Sequence, residues 1–220
     1  MIVFIDTEVN PQSKKVQDYG AVREDGAVLH THSKAEFLAF VEPCRIVCGH
    51  NIIGFDLKHT QINGNHLFID TLYLSPLLFP NKPYHHLVKD DKLQVDELNN
   101  PVNDAQKARD LFFDEVAAWQ RLPQRRKAIY QGLLSTVGEF KGFFAHASDS
   151  VPIVIGQSLA ETIQQEYAGR ICANANLAAV VKHYPVELAY ALAVIGTDDM
   201  MSITPAWVMR NYPKVANVMN

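Results

Sequence analysis

The sequence predicts an α/β fold, a mixed sheet flanked by helices with a helical extension at its C-terminal end. Three observations carry that prediction. Short apolar, β-branched runs alternate with stretches of helical period through the first 120 residues. Two of those runs are joined by Glu24-Asp25-Gly26, a hairpin turn, so part of the sheet is antiparallel. Beyond Pro123 strand-like runs give way to helical patterns, with a boundary near residue 147 in Ala147-Ser148-Asp149-Ser150. Residues 1–147 are therefore expected to form one domain and 148–220 a helical extension or connector.

Taken in order, Met1 to Glu8 opens with five apolar residues and reads as a buried strand. Pro11 to Lys15 is a turn. Val16 to Arg23 and Ala27 to Thr31 are the arms of the hairpin. Ser33 and Glu36 form a capping-box pattern ahead of a helix carrying Phe37, Leu38, Phe40 and Val41. Arg45 to Cys48 is a short strand, Ile52 to Gln61 a helix, and Leu67 to Thr71 a strand-like run that includes Asp70. A short helix is expected near His86 to Lys89. The stretch Asn99 to Asp104 is turn-forming, and a helix follows with Ala105, Ala108, Leu111, Phe112, Val116 and Trp119 on one face. Further helices are expected over 129–134, 140–144, 158–167 (with Ser158 and Glu161 as a second capping box), 186–195 and 205–212.

Composition narrows the function classes. Apolar residues make up 48% and charged residues 20%, as in an ordinary globular chain. No apolar run reaches the roughly 18 to 20 residues that span a bilayer, so no membrane partner is expected. The cysteines, Cys44, Cys48 and Cys172, are too few for a disulfide framework, which points to a reducing, cytoplasmic setting. A net charge of −4 argues against coating nucleic acid by bulk charge and leaves room for local grip on a strand end. The basic cluster Arg121, Arg125, Arg126 and Lys127 reads as a solvated helix face or turn.

The chemistry-bearing residues are acids at element ends. Alternation along the first strand puts Asp6 and Glu8 on one face, two residues apart. Two carboxylates that close repel unless a cation sits between them, and a divalent metal answers that need. A solvated strand end is the alternative. Asp56 and Asp104 each have an ordinary reading as well, as an exposed acid in a helix's first turns and as a helix N-cap.

Together these acids match an ordered set. Asp6-Thr7-Glu8, His50-Asn51-Ile52-Ile53-Gly54-Phe55-Asp56 and the late Asp104-Ala105 resemble the motifs of the DEDD superfamily of 3′–5′ exonucleases. Gly20-Ala21-Val22 and Ile69-Asp70-Thr71-Leu72 are similar to further segments of that family, so the resemblance covers roughly residues 1 to 120. It implies a ribonuclease H-like fold and hydrolysis of phosphodiester bonds from a 3′ end. It also implies two divalent ions, Mg²⁺ or Mn²⁺, held by Asp6, Glu8, Asp56 and Asp104 as catalytic and metal-binding residues. Thr7 and Val9 would line the terminal nucleotide, with Asn51 and Phe55 as further substrate contacts and His50 structural. In layout the chain also resembles the exonuclease module at the head of bacterial RecQ-type DNA helicase proteins. That resemblance makes DNA the expected partner and a covalently linked helicase region an expected neighbour.

One departure stands out. The family carries a His five residues, or a Tyr four residues, before the last Asp, and this chain has Asn99 and Asn100 there. An amide does not titrate, so it cannot serve as a general base. Three outcomes compete: slow hydrolysis without a base, substitution by His85 or His86, or a module that binds ends or partners without cutting.

Overall fold

The computed structural model describes residues 1–62, 64–82, 84–85, 87, 100–147, 153–197 and 203–219. They form two compact units: residues 1–72 with 86–114, and residues 73–85 with 115–220. The expected helix near His86 to Lys89 lies outside the described residues, as do Asn99 and His86.

The first unit is built on a five-stranded mixed sheet of order β3-β2-β1-β4-β5. Its strands are β1 (Ile2–Val9), β2 (Val16–Arg23), β3 (Val28–Thr31), β4 (Ile46–Gly49) and β5 (Leu67–Asp70). The first three strands pair antiparallel, whereas β1, β4 and β5 run parallel. Central β1 buries Ile2 to Ile5 on both faces, which is why its sequence is continuously apolar rather than alternating. The turn before β2 is held by Asn10, whose Oδ1 accepts from the backbone N–H groups of Gln12 and Ser13 at 2.9 Å. The hairpin turn places Gly26 at φ +91° and Asp25 Oδ1 3.0 Å from the Ala27 N–H that donates to it.

The two sheet faces are covered differently. On one, Val3, Ile5, Tyr19 and Ala21 pack with Phe37 and Val41 of α1 (Lys34–Val41) and with Ile52. Ser33 caps α1 by accepting from Glu36 N–H, but the second half of the expected capping box is not made, because the Glu36 carboxylate accepts from Thr31 Oγ1 at 2.6 Å. On the other face, Phe4 meets Phe112 with ring centroids 5.7 Å apart, and Val22 packs with Val102 and Ala105. These partners belong to α4 (Pro101–Arg121). Its start differs from the expected turn through Asp104. Pro101 occupies the first turn, and Asn100 Oδ1 accepts from Val102 N–H at 3.0 Å, an N-cap followed by a first-turn proline.

The docking of α4 depends on Gly20. A Cβ there would lie 2.2 Å from the Pro101 carbonyl carbon and 2.4 Å from Val102 N, closer than any real contact. Gly20 is paired directly with Asp6 in the β1–β2 ladder, so the missing side chain lets the first turn of α4 settle beside Asp6.

Two other elements depart from expectation. The segment expected to be a helix from Ile52 is a tight turn, and α2 (Asp56–Thr60) begins only at Asp56. At the end of β5 the chain passes directly into α3 (Thr71–Leu78), which the sequence pattern did not predict and which carries Pro76 inside it.

The second unit is helical: α5 (Gln124–Leu134), α6 (Gly138–Ala147), α7 (Gly156–Glu166), α8 (Leu177–His183), α9 (Pro185–Ile195), α10 (Ala206–Asn211) and α11 (Val215–Met219). Its core strings α5 against α6, α7 and α9. That packing moves the division away from residue 147, since α5 and α6 join the later helices. Buried Trp119 stacks edge-on with Phe143 and Phe144, and Tyr190 Oη donates to the Tyr73 carbonyl at 2.9 Å. Helices α8 and α11 were not expected. The second capping box does not form, because α7 starts at Gly156 and puts Ser158 inside the helix. Nor is the basic cluster simply solvated. Arg126 donates to Glu166 Oε1 and the Gly196 carbonyl, each at 2.9 Å, and buried Lys127 donates to the Gln120 carbonyl at 2.7 Å. Among the described residues no single helix is long and apolar enough to cross a membrane.

Gly20→Ala is expected to cost about 1 to 3 kcal/mol in urea unfolding, the usual penalty of overpacking, and to weaken divalent-ion binding by displacing the first turn of α4. A Gly20→Ala protein with unchanged stability and ion affinity would remove this contact as the positioning device.

Candidate metal centre

Three of the four expected carboxylates come together. Asp6 and Glu8 project from the end of β1, and Asp104 from the first turn of α4; each offers one oxygen, and these three lie within 4.8 Å of one another. All three residues are half-buried. Lys107, one turn along α4, holds its Nζ 3.7 Å from Asp104 Oδ1 and offsets part of the negative charge. An all-carboxylate set of hard oxygen donors suits Mg²⁺ or Mn²⁺ rather than a thiophilic ion, and a divalent cation would relieve the repulsion that three converging acids create.

Asp56 stands outside this group. Its Oδ1 accepts from Thr7 Oγ1 at 2.6 Å, and alternation along β1 turns Thr7 away from Asp6 and Glu8. Both partners are buried. Burial pushes the Asp56 carboxyl up to about 7 against the pull of the Thr7 hydrogen bond. Thr7, expected to line a nucleotide, therefore has its hydroxyl committed to a buried carboxyl.

Asp70 is the functional-looking acid whose role sequence reasoning missed. Wholly buried at the end of β5, it accepts from the backbone N–H groups of Asn51 at 2.7 Å, Ile53 at 3.0 Å and Leu72 at 3.0 Å. Those bonds fix the turn between β4 and α2, where Asn51 sits at φ +66° and Gly54 approaches Asn51 too closely for a Cβ. Burial raises Asp70 to about 6 despite its three N–H donors. His50 Nδ1 lies 2.8 Å from Thr71 Oγ1, which itself donates to the Gly49 carbonyl, so His50 ties β4 to α3 as a structural residue. Phe55 is exposed, with its ring 4.9 Å from that of His59, and Val9 sits half-buried beside the irregularity that ends β1.

The candidate bases divide. His85, read as a surface residue, is buried in the helical unit with Nδ1 2.8 Å from Ser75 Oγ. Asn100 is accounted for by its N-cap role. None of the three cysteines is in a disulfide; Cys44 and Cys48 are buried and Cys172 is exposed.

Because Asp56 and Asp70 hold protons in the folded chain that the unfolded chain releases above pH 4, stability is expected to fall as pH rises from about 4 to about 7. The fall, measured by urea unfolding with EDTA present, should amount to a few kcal/mol, since each tenfold gain in a carboxylate's affinity for its proton is worth roughly 1.4 kcal/mol. Asp56→Asn keeps an acceptor for Thr7 and should flatten that profile; a variant with the full slope would refute the assignment. Comparison with protein-family models, curated proteins and solved structures finds no match for this chain.

Proposed function

We propose that the chain is a metal-dependent 3′–5′ exonuclease of the DEDD type with a ribonuclease H-like fold, acting on DNA. The observation that carries the reading is the meeting of Asp6, Glu8 and Asp104 from β1 and α4. The resemblance named those same positions as metal ligands, and a mixed sheet with β1 at its centre is consistent with the fold it implies.

The three carboxylates would hold one hard divalent ion, and the DEDD reading adds a second near Asp56. Bound ions of this kind polarise a phosphate oxygen and lower the pKa of water. The residues divide the remaining work. Asp6 and Glu8, on a buried strand, give the site a rigid floor, while Asp104 closes it from α4. Asp56 supports β1 from behind through Thr7, and its second carboxylate oxygen would be the one to reach a second ion. Asp70 holds the turn that leads into Asp56. Exposed Phe55 offers a ring on which a terminal base would stack.

A second reading, an end-binding module without hydrolysis, is favoured by the burial of His85 against Ser75, away from a base's need for open access. The two separate in one assay. A 3′-labelled DNA strand incubated with Mn²⁺ should shorten stepwise, and a circular strand should survive. Asp6→Ala and Asp104→Asn should each lower the rate by more than about 100-fold, since even outer partners of a metal cost about 10 to 100-fold. Binding without any product, unaffected by EDTA, would establish the second reading and overturn the first. If the missing base limits the rate, Asn99→His should raise it by about 10² or more; no gain would mean another group supplies that role.

A further inference from the structure

We propose that Lys107 binds the terminal phosphodiester of a DNA 3′ end at the candidate centre. The inference rests on the DNA-end reading of that centre and adds the residue that would receive the charged strand. Lys107 follows Asp104 by three positions on α4, so the two side chains are neighbours on one helix face. Ala105, beside that face, packs with Val22 of β2 and sets this part of α4 against the sheet. Lys107 Nζ lies 3.7 Å from Asp104 Oδ1, and Asp104 is one of the three acids whose oxygens converge within 4.8 Å. An ordinary i,i+3 pair links two solvated charges. This one ends on a carboxylate that already belongs to a cluster. The Lys107 side chain is 31% exposed, so its ammonium is held beside the centre and is still open to a ligand.

Charge gives the ammonium its task. The chain carries a net charge of −4, so its overall field does not draw a polyanion. At the centre, three carboxylates and one ammonium leave two negative charges, which one hard divalent ion cancels. Without Lys107 the ion-loaded centre would still be negative and would repel a phosphodiester. With it the loaded centre is neutral, and an ammonium with three N–H donors stands beside it. Lysine suits this role, because a point charge on a flexible four-carbon stem can pass from Asp104 Oδ1 to a phosphate oxygen while the helix stays in place. The bond it would donate there is charge-assisted, roughly twice as strong as a neutral one. The role is one of binding, and Lys107 is not offered as the general base.

The test reads binding rather than turnover. A short labelled single strand of DNA is titrated with the whole chain in Ca²⁺, a hard ion for oxygen ligands, and followed by fluorescence anisotropy. Lys107→Gln should weaken binding about tenfold or more, the usual cost of losing a hydrogen bond between charged groups. It should also lower the slope of log affinity against log salt by about 0.7, one phosphate contact on a single strand. Replacing the terminal phosphodiester by a neutral methylphosphonate should weaken binding to the unaltered chain by a similar factor and bring no further loss in Lys107→Gln. Lys107→Arg should keep most of the affinity. Mn²⁺ binding to Lys107→Gln, measured by calorimetry without DNA, should be as tight or tighter, since a neighbouring cation is gone; a residue that only positions Asp104 would weaken it. Circular dichroism confirms that each variant is folded. Unchanged DNA affinity in Lys107→Gln, a full methylphosphonate effect in that variant, or weakened Mn²⁺ binding would overturn the proposal. The exonuclease reading fails separately: binding that depends on Lys107, with no shortening of the strand in Mn²⁺, would support this inference and overturn hydrolysis.

Discussion

The contact between the first turn of α4 and the backbone of Gly20 is the constraint on which the candidate centre depends. β1 can present Asp6 and Glu8 unaided, because they belong to one strand and share one face. It cannot bring Asp104, which lies far along the chain. A helix packed over ordinary strand residues stands off from the sheet by the thickness of their side chains. At Gly20 that layer is absent, and the Pro101 and Val102 backbone occupies the space a Cβ would need. Since Gly20 is the ladder partner of Asp6, the close approach falls where the carboxylates have to meet. Phe4, Val22, Val102 and Ala105 then hold the helix in that position through apolar packing.

Two kinds of acid surround this frame, and their environments separate them. Asp6, Glu8 and Asp104 remain half-buried, with a lysine nearby, and are arranged so that a cation can reach all three. Asp56 and Asp70 are sealed from water and satisfied by a hydroxyl and by backbone N–H groups. Desolvation raises the pKa of both sealed acids, so they contribute order rather than accessible charge. Asp56 belongs to the second kind in this structure, although its position in the sequence suggested the first. The difference comes from burial, within which Thr7 Oγ1 donates to the Asp56 carboxyl.

Much of the architecture was legible because it is local. The apolar run of β1, the Glu24-Asp25-Gly26 hairpin and the Ser33 cap are decided by neighbouring residues. Misreadings arose where a residue took a role other than the one its pattern suggested. Ser158 has the residues of a cap, yet α7 begins upstream of it at Gly156. Lys127 and Arg126 look like solvated charges, but carbonyls and Glu166 from other elements claim them. Asn100 looked like a lost base, and it is the residue that starts α4. His85 looked exposed and is buried against Ser75.

By itself, the sequence determined the α/β class, the antiparallel hairpin, and the pairing of Asp6 with Glu8, because strand alternation and turn chemistry act over a few residues. It also marked Asp104 and Gly20 as positions of interest without relating them to each other. Only the tertiary structure decided that Asp104 joins the pair and Asp56 does not, and that Asp70 staples the turn before α2. Each of those outcomes depends on which strand lies beside which and on how closely a helix can approach. Such relations arise from packing across the whole chain, and no local pattern encodes them.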